Sequence, residues 1–465
     1  MSAALYGFLW LATLLDQMVS LPIAGRAAGM ALLAFLLLQL PHQRRYGQVF
    51  FAAMAGLGGL GLAGLAARGG DPLGLFLDAW RRGAAYAAFF LALTTLRDAA
   101  ESSPLVRRCG QHLVAQPPGR RYAALTAGGH VFGIILSYGA IELLGAMVMR
   151  ANTLAAAGTE AVRSLRARRM LMAIYRGFAV MNCWSPLNIM TAVVSTAVPG
   201  APMARLLPIA FAVSVGMCAL GWLDDRLGNP RAANPAGRPE TKDNWSVHLG
   251  VIALVGLVMV LAEGGSALLG ITLVTGVTFV VPVVALCWLA VQYAPVARAR
   301  GPRMALSAIA LRLAKFRVRI PSFRGEANVL GWSGFIGIAV GGALPDGGLA
   351  PYLDHLPPLL IPLAVPVLLM ATGQIGLNPV AAVALLGAAI PDPAALGLSP
   401  AVLGFACMLG WGVGVSVTAM SASAITTARW LEVSPFTVSA IWNARFTFAC
   451  LVLSWAVIAA LSLFV

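Results

Sequence analysis

Asn182-Cys183-Trp184-Ser185-Pro186-Leu187-Asn188 interrupts an apolar run over residues 170–198, and Thr372-Gly373-Gln374-Ile375-Gly376-Leu377-Asn378-Pro379 interrupts a second over 359–390. Backbone in hydrocarbon must satisfy its own hydrogen bonds, so polar, proline-bearing breaks inside apolar runs persist only beside a buried or watery cavity. Each break holds a Leu-Asn pair beside a proline, is followed by small apolar residues, and ends at Pro199 or Pro391. Neighbouring segments keep a similar separation: Ala84 with Leu268, Tyr122 with Asn328, Met203 with Pro400. A basic arm, 97–121 or 298–324, stands between the first two elements of each half. The chain reads as two repeats of one plan: span, basic arm, span, connector, broken segment, span, span. Residues 1–48 are accessory helices. Repeat 1 covers 49–263 with its broken segment at 170–198. Repeat 2 covers 264–465 with its arm at 297–324 and its broken segment at 358–391.

The composition demands a membrane. Of 465 residues, 59% are hydrophobic and 11% charged, with mean hydropathy +0.84. Soluble domains carry about 25% charged residues. A disordered chain, a collagen, a disulfide scaffold and a soluble enzyme are all excluded. The expected fold is an all-α polytopic membrane protein of about 10–12 membrane-embedded helices, each crossing using about 20 residues. Residues 122–148 read as one uninterrupted span, and Asp16, Glu263, Asp346, Asp354 and Asp392 read as interfacial. The six cysteines are scattered without a CxxC pair, as small core residues. Lysine occurs only at Lys242 and Lys315 among many arginines, a composition typical of a GC-rich bacterial genome. No signal peptide is recognised at the start.

The net charge of +15 is concentrated in three connectors, around 97–121, 150–169 and 298–324. In the last arm Leu306, Ile309, Leu313 and Phe316 recur at helical spacing, while Arg312, Lys315 and Arg319 share another face. That is an amphipathic helix for an anionic lipid surface, compatible with a solvated positive-inside loop. Nucleic acid is not an expected partner. Placing both 150–169 and 298–324 in the cytoplasm requires inverted repeats.

Few polar groups remain inside, and they define the candidate site. Asn188 and Asn378 each offer a side-chain carbonyl and two donors, with Asn182, Ser185, Thr372 and Gln374 beside them. Unwound turns free carbonyls for Na⁺ or H⁺, and half-helix N-termini favour an anion. The stretch with Gly410, Gly412, Gly414, Ser416 and Thr418 reads equally as small-residue packing or as a further unwound turn on the same cavity. Arg176 faces either an anionic ligand or a structural partner such as a carbonyl or Glu142. Glu142 and His130 are candidates for a coupling proton, although a glutamate near a helix end also snorkels. HExxH, P-loop and GxSxG patterns are absent, so no catalytic or metal-binding residue is assigned, no cofactor is expected, and the chain is not read as an enzyme.

Two halves, each with an Asn-bearing break in an apolar hairpin followed by a Gly/Ser/Thr-rich span, resemble the ion transporter superfamily. That group includes citrate and dicarboxylate carriers, arsenite and Na⁺/H⁺ antiporters, and membrane subunits of tripartite carboxylate transporters. The carriers' Ser-Asn-Thr signature is replaced here by Ser185-Pro186-Leu187-Asn188 and Ile375-Gly376-Leu377-Asn378. The resemblance implies a role for Asn188 and Asn378 in substrate or ion binding. The expected function is ion-coupled secondary transport of a small organic anion by alternating access, in a multi-pass protein of the bacterial inner membrane. Na⁺ or H⁺ is the expected coupling ion, anionic lipids are expected at the arms, and a homodimer is an allowed assembly. A cation/proton antiporter or inorganic-anion exporter of the same fold is the runner-up. A polytopic enzyme or flippase for a lipid-linked substrate is the alternative from another class.

Overall fold

The computed structural model describes residues 2–229, 243–345 and 347–464, and among these there is no strand. The first helices are α1 (Ser2–Val19), α2 (Pro22–Gln39), α3 (Arg45–Ala67) and α4 (Pro72–Glu101). Asp71 starts α4 by accepting from the Leu73 and Gly74 amides at 3.0 Å, with Pro72 in the first turn where its missing N–H costs nothing. The chain continues through α5 (Pro104–Val114), α6 (Pro118–Leu136), α7 (Gly139–Ala151), the single turn α8 (Leu154–Ala157), α9 (Glu160–Met181), α10 (Ile189–Ala197) and α11 (Met203–Gly228). Beyond residue 243 come α12 (Leu249–Leu269), α13 (Leu273–Arg300), α14 (Pro302–Arg319), α15 (Arg324–Ala343) and the turn α16 (Ala350–Leu353). Last are α17 (Leu360–Gln374), α18 (Pro379–Ala389), α19 (Pro400–Val417), α20 (Ala422–Leu431) and α21 (Ala444–Ser462).

The protein is an all-α polytopic membrane protein. Seven stretches of the described residues are long and apolar enough to cross a bilayer, among them 45–67, 203–228, 273–300 and 444–462. Large apolar side chains such as Leu60, Val260, Val291 and Phe448 face outward, as lipid contact requires. Two cores lie beneath. One is aromatic, with Tyr6, Phe35, Trp80, Trp332 and Phe335 joining α1, α2, α4 and α15. The other fills the body between α6, α9, α11, α17, α19 and α21.

Packing relates two five-helix sets. α6 lies along α9, and α17 lies along α19. α10 crosses α18, and α20 crosses α7. α10 touches α19, α20 touches α9, and α11 meets α21. Exchanging α6, α7, α9, α10 and α11 with α17, α18, α19, α20 and α21 reproduces these contacts. The exchange pairs the break at 182–188 with one at 418–421, and the break at 375–378 with one at Ser137-Tyr138. The Leu-Asn spacing in the sequence pairs 188 with 378 instead. The reason is local: Asn188 and Asn378 each cap a restarting helix, whereas the restarts at 421 and 138 use Ser421 and an uncapped Tyr138, so asparagine spacing follows capping and not the packing exchange.

Three sequence expectations are corrected. Residues 122–148 are two helices, because Ser137 takes a positive φ of 52° and ends α6. Asp16 is buried and paired with Arg81 at 2.7 Å, so it is not interfacial. The basic arm does not present all its charge to lipid. Arg312 and Arg319 of α14 both reach Asp98 at 2.8 Å, and Arg319 also meets Glu101 at 3.2 Å.

Candidate functional site

The first break is closed by its own side chains. Asn182 donates to the Phe178 carbonyl at 2.8 Å and the Ala179 carbonyl at 3.2 Å, which covers two acceptors at the end of α9. Asn188 accepts from the Met190 amide at 2.9 Å to start α10, and donates to Asn182 Oδ1 at 2.7 Å. Thr191 Oγ1 donates to the Ser185 carbonyl at 2.9 Å. Ser185 is fully buried, and its hydroxyl has no partner among the described residues. Trp184 Nε1 donates to His130 Nε2 at 2.7 Å, and the two rings stack. An indole N–H only donates, so that imidazole nitrogen carries no proton. α6 and α9 approach backbone to backbone here, since a Cβ on Gly177 would overlap the Thr126 carbonyl.

The break at 375–378 has the same cap in a more exposed setting. Asn378 accepts from the Val380 amide at 2.9 Å, with Pro379 in the first turn. Gly376 takes a φ of +85°, and Leu377 N–H returns to the Thr372 carbonyl at 3.0 Å, which closes the end of α17. Thr372 Oγ1 donates to the Leu368 carbonyl at 2.9 Å, and Tyr46 OH donates to the Gly376 carbonyl at 3.1 Å. Ile375 and Gln374 are exposed, whereas Asn182 and Ser185 are buried.

The glycine-rich span does unwind, over residues 418–421. Its freed carbonyls are taken by protein donors. Tyr175 OH reaches the Val415 and Ser416 carbonyls at 3.0 and 3.1 Å, Asn443 reaches Ser416 at 2.7 Å, and Gln374 reaches Val417 at 2.9 Å. Thr418 Oγ1 turns back to Gly414 at 2.7 Å, and Ser416 Oγ meets Thr447 Oγ1 at 3.1 Å. Ser421 then caps α20 through the Ala424 amide at 3.1 Å.

Arg176 belongs to this internal network, and its carboxylate partner is Asp224 rather than Glu142. It donates to Asp224 at 2.7 Å, Asn443 Oδ1 at 2.7 Å and Tyr122 OH at 3.0 Å, with Phe446 4.8 Å beneath it. A buried guanidinium with a carboxylate and several acceptors is satisfied. Glu142 instead pairs with Arg429 of α20.

The two helix crossings differ. At α7 and α20, Trp430 lies against Gly145 and the Glu142–Arg429 pair spans the gap. At α10 and α18, Ala197 and Gly387 touch through backbone, and a cavity of about 680 Å³ opens beside them. Arg68, Arg82, Tyr86, Thr196, Gly337 and Gly341 are among its walls. Tyr86 OH and Thr196 Oγ1 are 2.6 Å apart and tie α4 to α10. None of Asn182, Ser185, Asn188, Thr372, Gln374 or Asn378 lines this cavity. Sequence reasoning missed Arg82. The available signal was a double arginine, Arg81-Arg82, at the edge of an apolar run.

No family model matches the chain, and no curated protein matches it. Among solved structures it is similar to the YdaH transporter of Alcanivorax borkumensis, whose crystal structure is described as revealing an unusual topology. The likeness covers 83% of this chain and 87% of that one, at 15% identity and a TM-score of 0.54. At that identity the likeness is one of fold. The chain has the fold of a membrane transporter.

Proposed function

We propose that the protein is an ion-coupled secondary transporter that moves a small organic anion across the bacterial inner membrane by alternating access. The observation that carries this reading is the difference between two corresponding crossings, one opened by a 680 Å³ cavity and one shut by Trp430 and the Glu142–Arg429 pair. Exchange of open and shut ends is what alternating access requires of paired repeats. We read the two five-helix sets as inverted repeats, and the chain as a member of the ion transporter superfamily. Arg68 and Arg82 favour an anion over a cation as cargo. The breaks act as hinges held by asparagine caps. Na⁺ or H⁺ supplies the drive.

Flux into proteoliposomes tests this directly. Mono-, di- and tricarboxylates, sulfate and phosphate are offered under Na⁺ gradients and pH gradients separately. Uptake of a carboxylate that needs one gradient and saturates is the expected result. Purified, folded protein that moves none of these anions under either gradient overturns the reading.

A further inference from the structure

We infer that Arg82 is the carboxylate-binding residue of the cavity, with Arg68 as the charge at its mouth. The inference rests on the transport reading for its biological sense, but the site stands on geometry. Arg82 lies ten residues into α4, so at 1.5 Å per residue it sits about 15 Å along the helix from the turn at Arg68. A guanidinium so placed is retained where it meets a carboxylate or faces a polar cavity.

Its neighbours take the first course. Arg81 is paired with Asp16 at 2.7 Å, and Arg26 with Asp78 at 2.9 Å. Among the described residues Arg82 has neither an ion pair nor a hydrogen bond, it is half-buried, and it lines the cavity. No described lining residue is a carboxylate. Arg68 is exposed at the rim and braced against the Leu344 carbonyl at 2.8 Å and the Gly342 carbonyl. Two helix ends oppose an anion here, because α10 and α18 both terminate at the cavity and each carries about half a negative charge. Among the described residues, two full guanidinium charges outweigh them, and about one positive charge is left over for the ligand.

The glycines set the shape. Gly334, Gly337 and Gly341 follow one face of α15, and Gly387 stands across on α18, so a ligand body can lie against backbone. The planar fork of Arg82 would hold one carboxylate through two parallel N–H donors, a geometry that lysine cannot reproduce.

Binding is measured on the purified full chain in detergent, by calorimetry with acetate, succinate and citrate, and with sulfate as the inorganic comparison. The wild type is expected to bind at least one carboxylate more tightly than sulfate. Arg82→Gln should weaken that binding by roughly tenfold or more, Arg82→Lys by less, and Arg68→Gln by a few-fold. Arg82→Gln breaks no ion pair, so its elution and thermal midpoint should match the wild type. A folded Arg82→Gln protein that binds as the wild type does, or a wild type that binds sulfate as well as any carboxylate or binds none of them, overturns the site. Flux separates the two readings. Carboxylate binding lost in Arg82→Gln without gradient-driven flux in the wild type leaves the site standing and removes transport. Wild-type flux with an unchanged KM in Arg82→Gln removes the site and leaves transport.

Discussion

The contact of α10 with α18 and the contact of α7 with α20 are corresponding pairs in the packing of the two five-helix sets, and they differ. In the first, backbone meets backbone at Ala197 and Gly387, and space remains beside the contact. In the second, an indole fills the gap and an ion pair closes over it. A chain with corresponding halves therefore holds both an open and a shut version of one joint. The difference lies in side-chain volume and charge, since the helices themselves correspond.

The largest effect expected concerns the strut between the halves. Arg176→Gln leaves Asp224 without its cation and cuts the link from α9 through Asn443 to the Ser416 carbonyl. Removing one partner of a buried pair costs about 3–5 kcal/mol. Thermal unfolding in detergent should show a large drop. A wild-type midpoint with altered anion affinity would return Arg176 to the ligand.

Next in size is a test of the two crossings against each other. A Cβ at Gly387 would overlap the backbone of Ala197, whereas at Gly145 it would meet the Trp430 side chain, which can move. Gly387→Ala should destabilise by about 1–3 kcal/mol, as overpacking does, and Gly145→Ala by clearly less. Equal midpoints would break the comparison.

The caps come third. Asn188→Ala and Asn378→Ala each lose a helix start worth about 1 kcal/mol. Asn188→Ala should cost more, because it also strips the Asn182 side chain of a donor in a buried place. Unfolding that ranks Asn378 first would mean that the more exposed break carries the strain. The smallest change in stability is expected from Glu142→Gln, at most about 1 kcal/mol for so exposed a pair. Its readout is access. A cysteine at Ala428, buried on α20, should react faster with an impermeant maleimide once Glu142 is neutral, on a background lacking the exposed Cys287. Unchanged labelling would remove the latch.

Much of this architecture was legible in the chain, for physical reasons. Proline and asparagine inside apolar runs cannot hide, so the breaks at 182–188 and 375–378 stood out. The unwinding at 418–421 was one of two open readings, since glycine and hydroxyl residues serve packing as well as turns. The break at Ser137 was invisible. It uses a single residue at positive φ with neither proline nor asparagine beside it. Partners separated in sequence were equally hidden: nothing local joins Arg176 to Asp224, Glu142 to Arg429 or Asp16 to Arg81. Arg82 was overlooked because a double arginine before an apolar run looks like an interfacial flank. Only the third dimension shows that one arginine is paired and that its neighbour, among the described residues, is not.

The clasp of Arg312 and Arg319 on Asp98 also has a mechanical meaning. It rivets the arm to the far end of α4, the same helix whose middle carries Arg82 and whose Tyr86 is tied to α10. α4 is thus a crossbeam, pinned at one end to a bar lying outside the core and joined near its centre to the joint that opens. A displacement of the arm would be carried along that beam to the wall of the cavity.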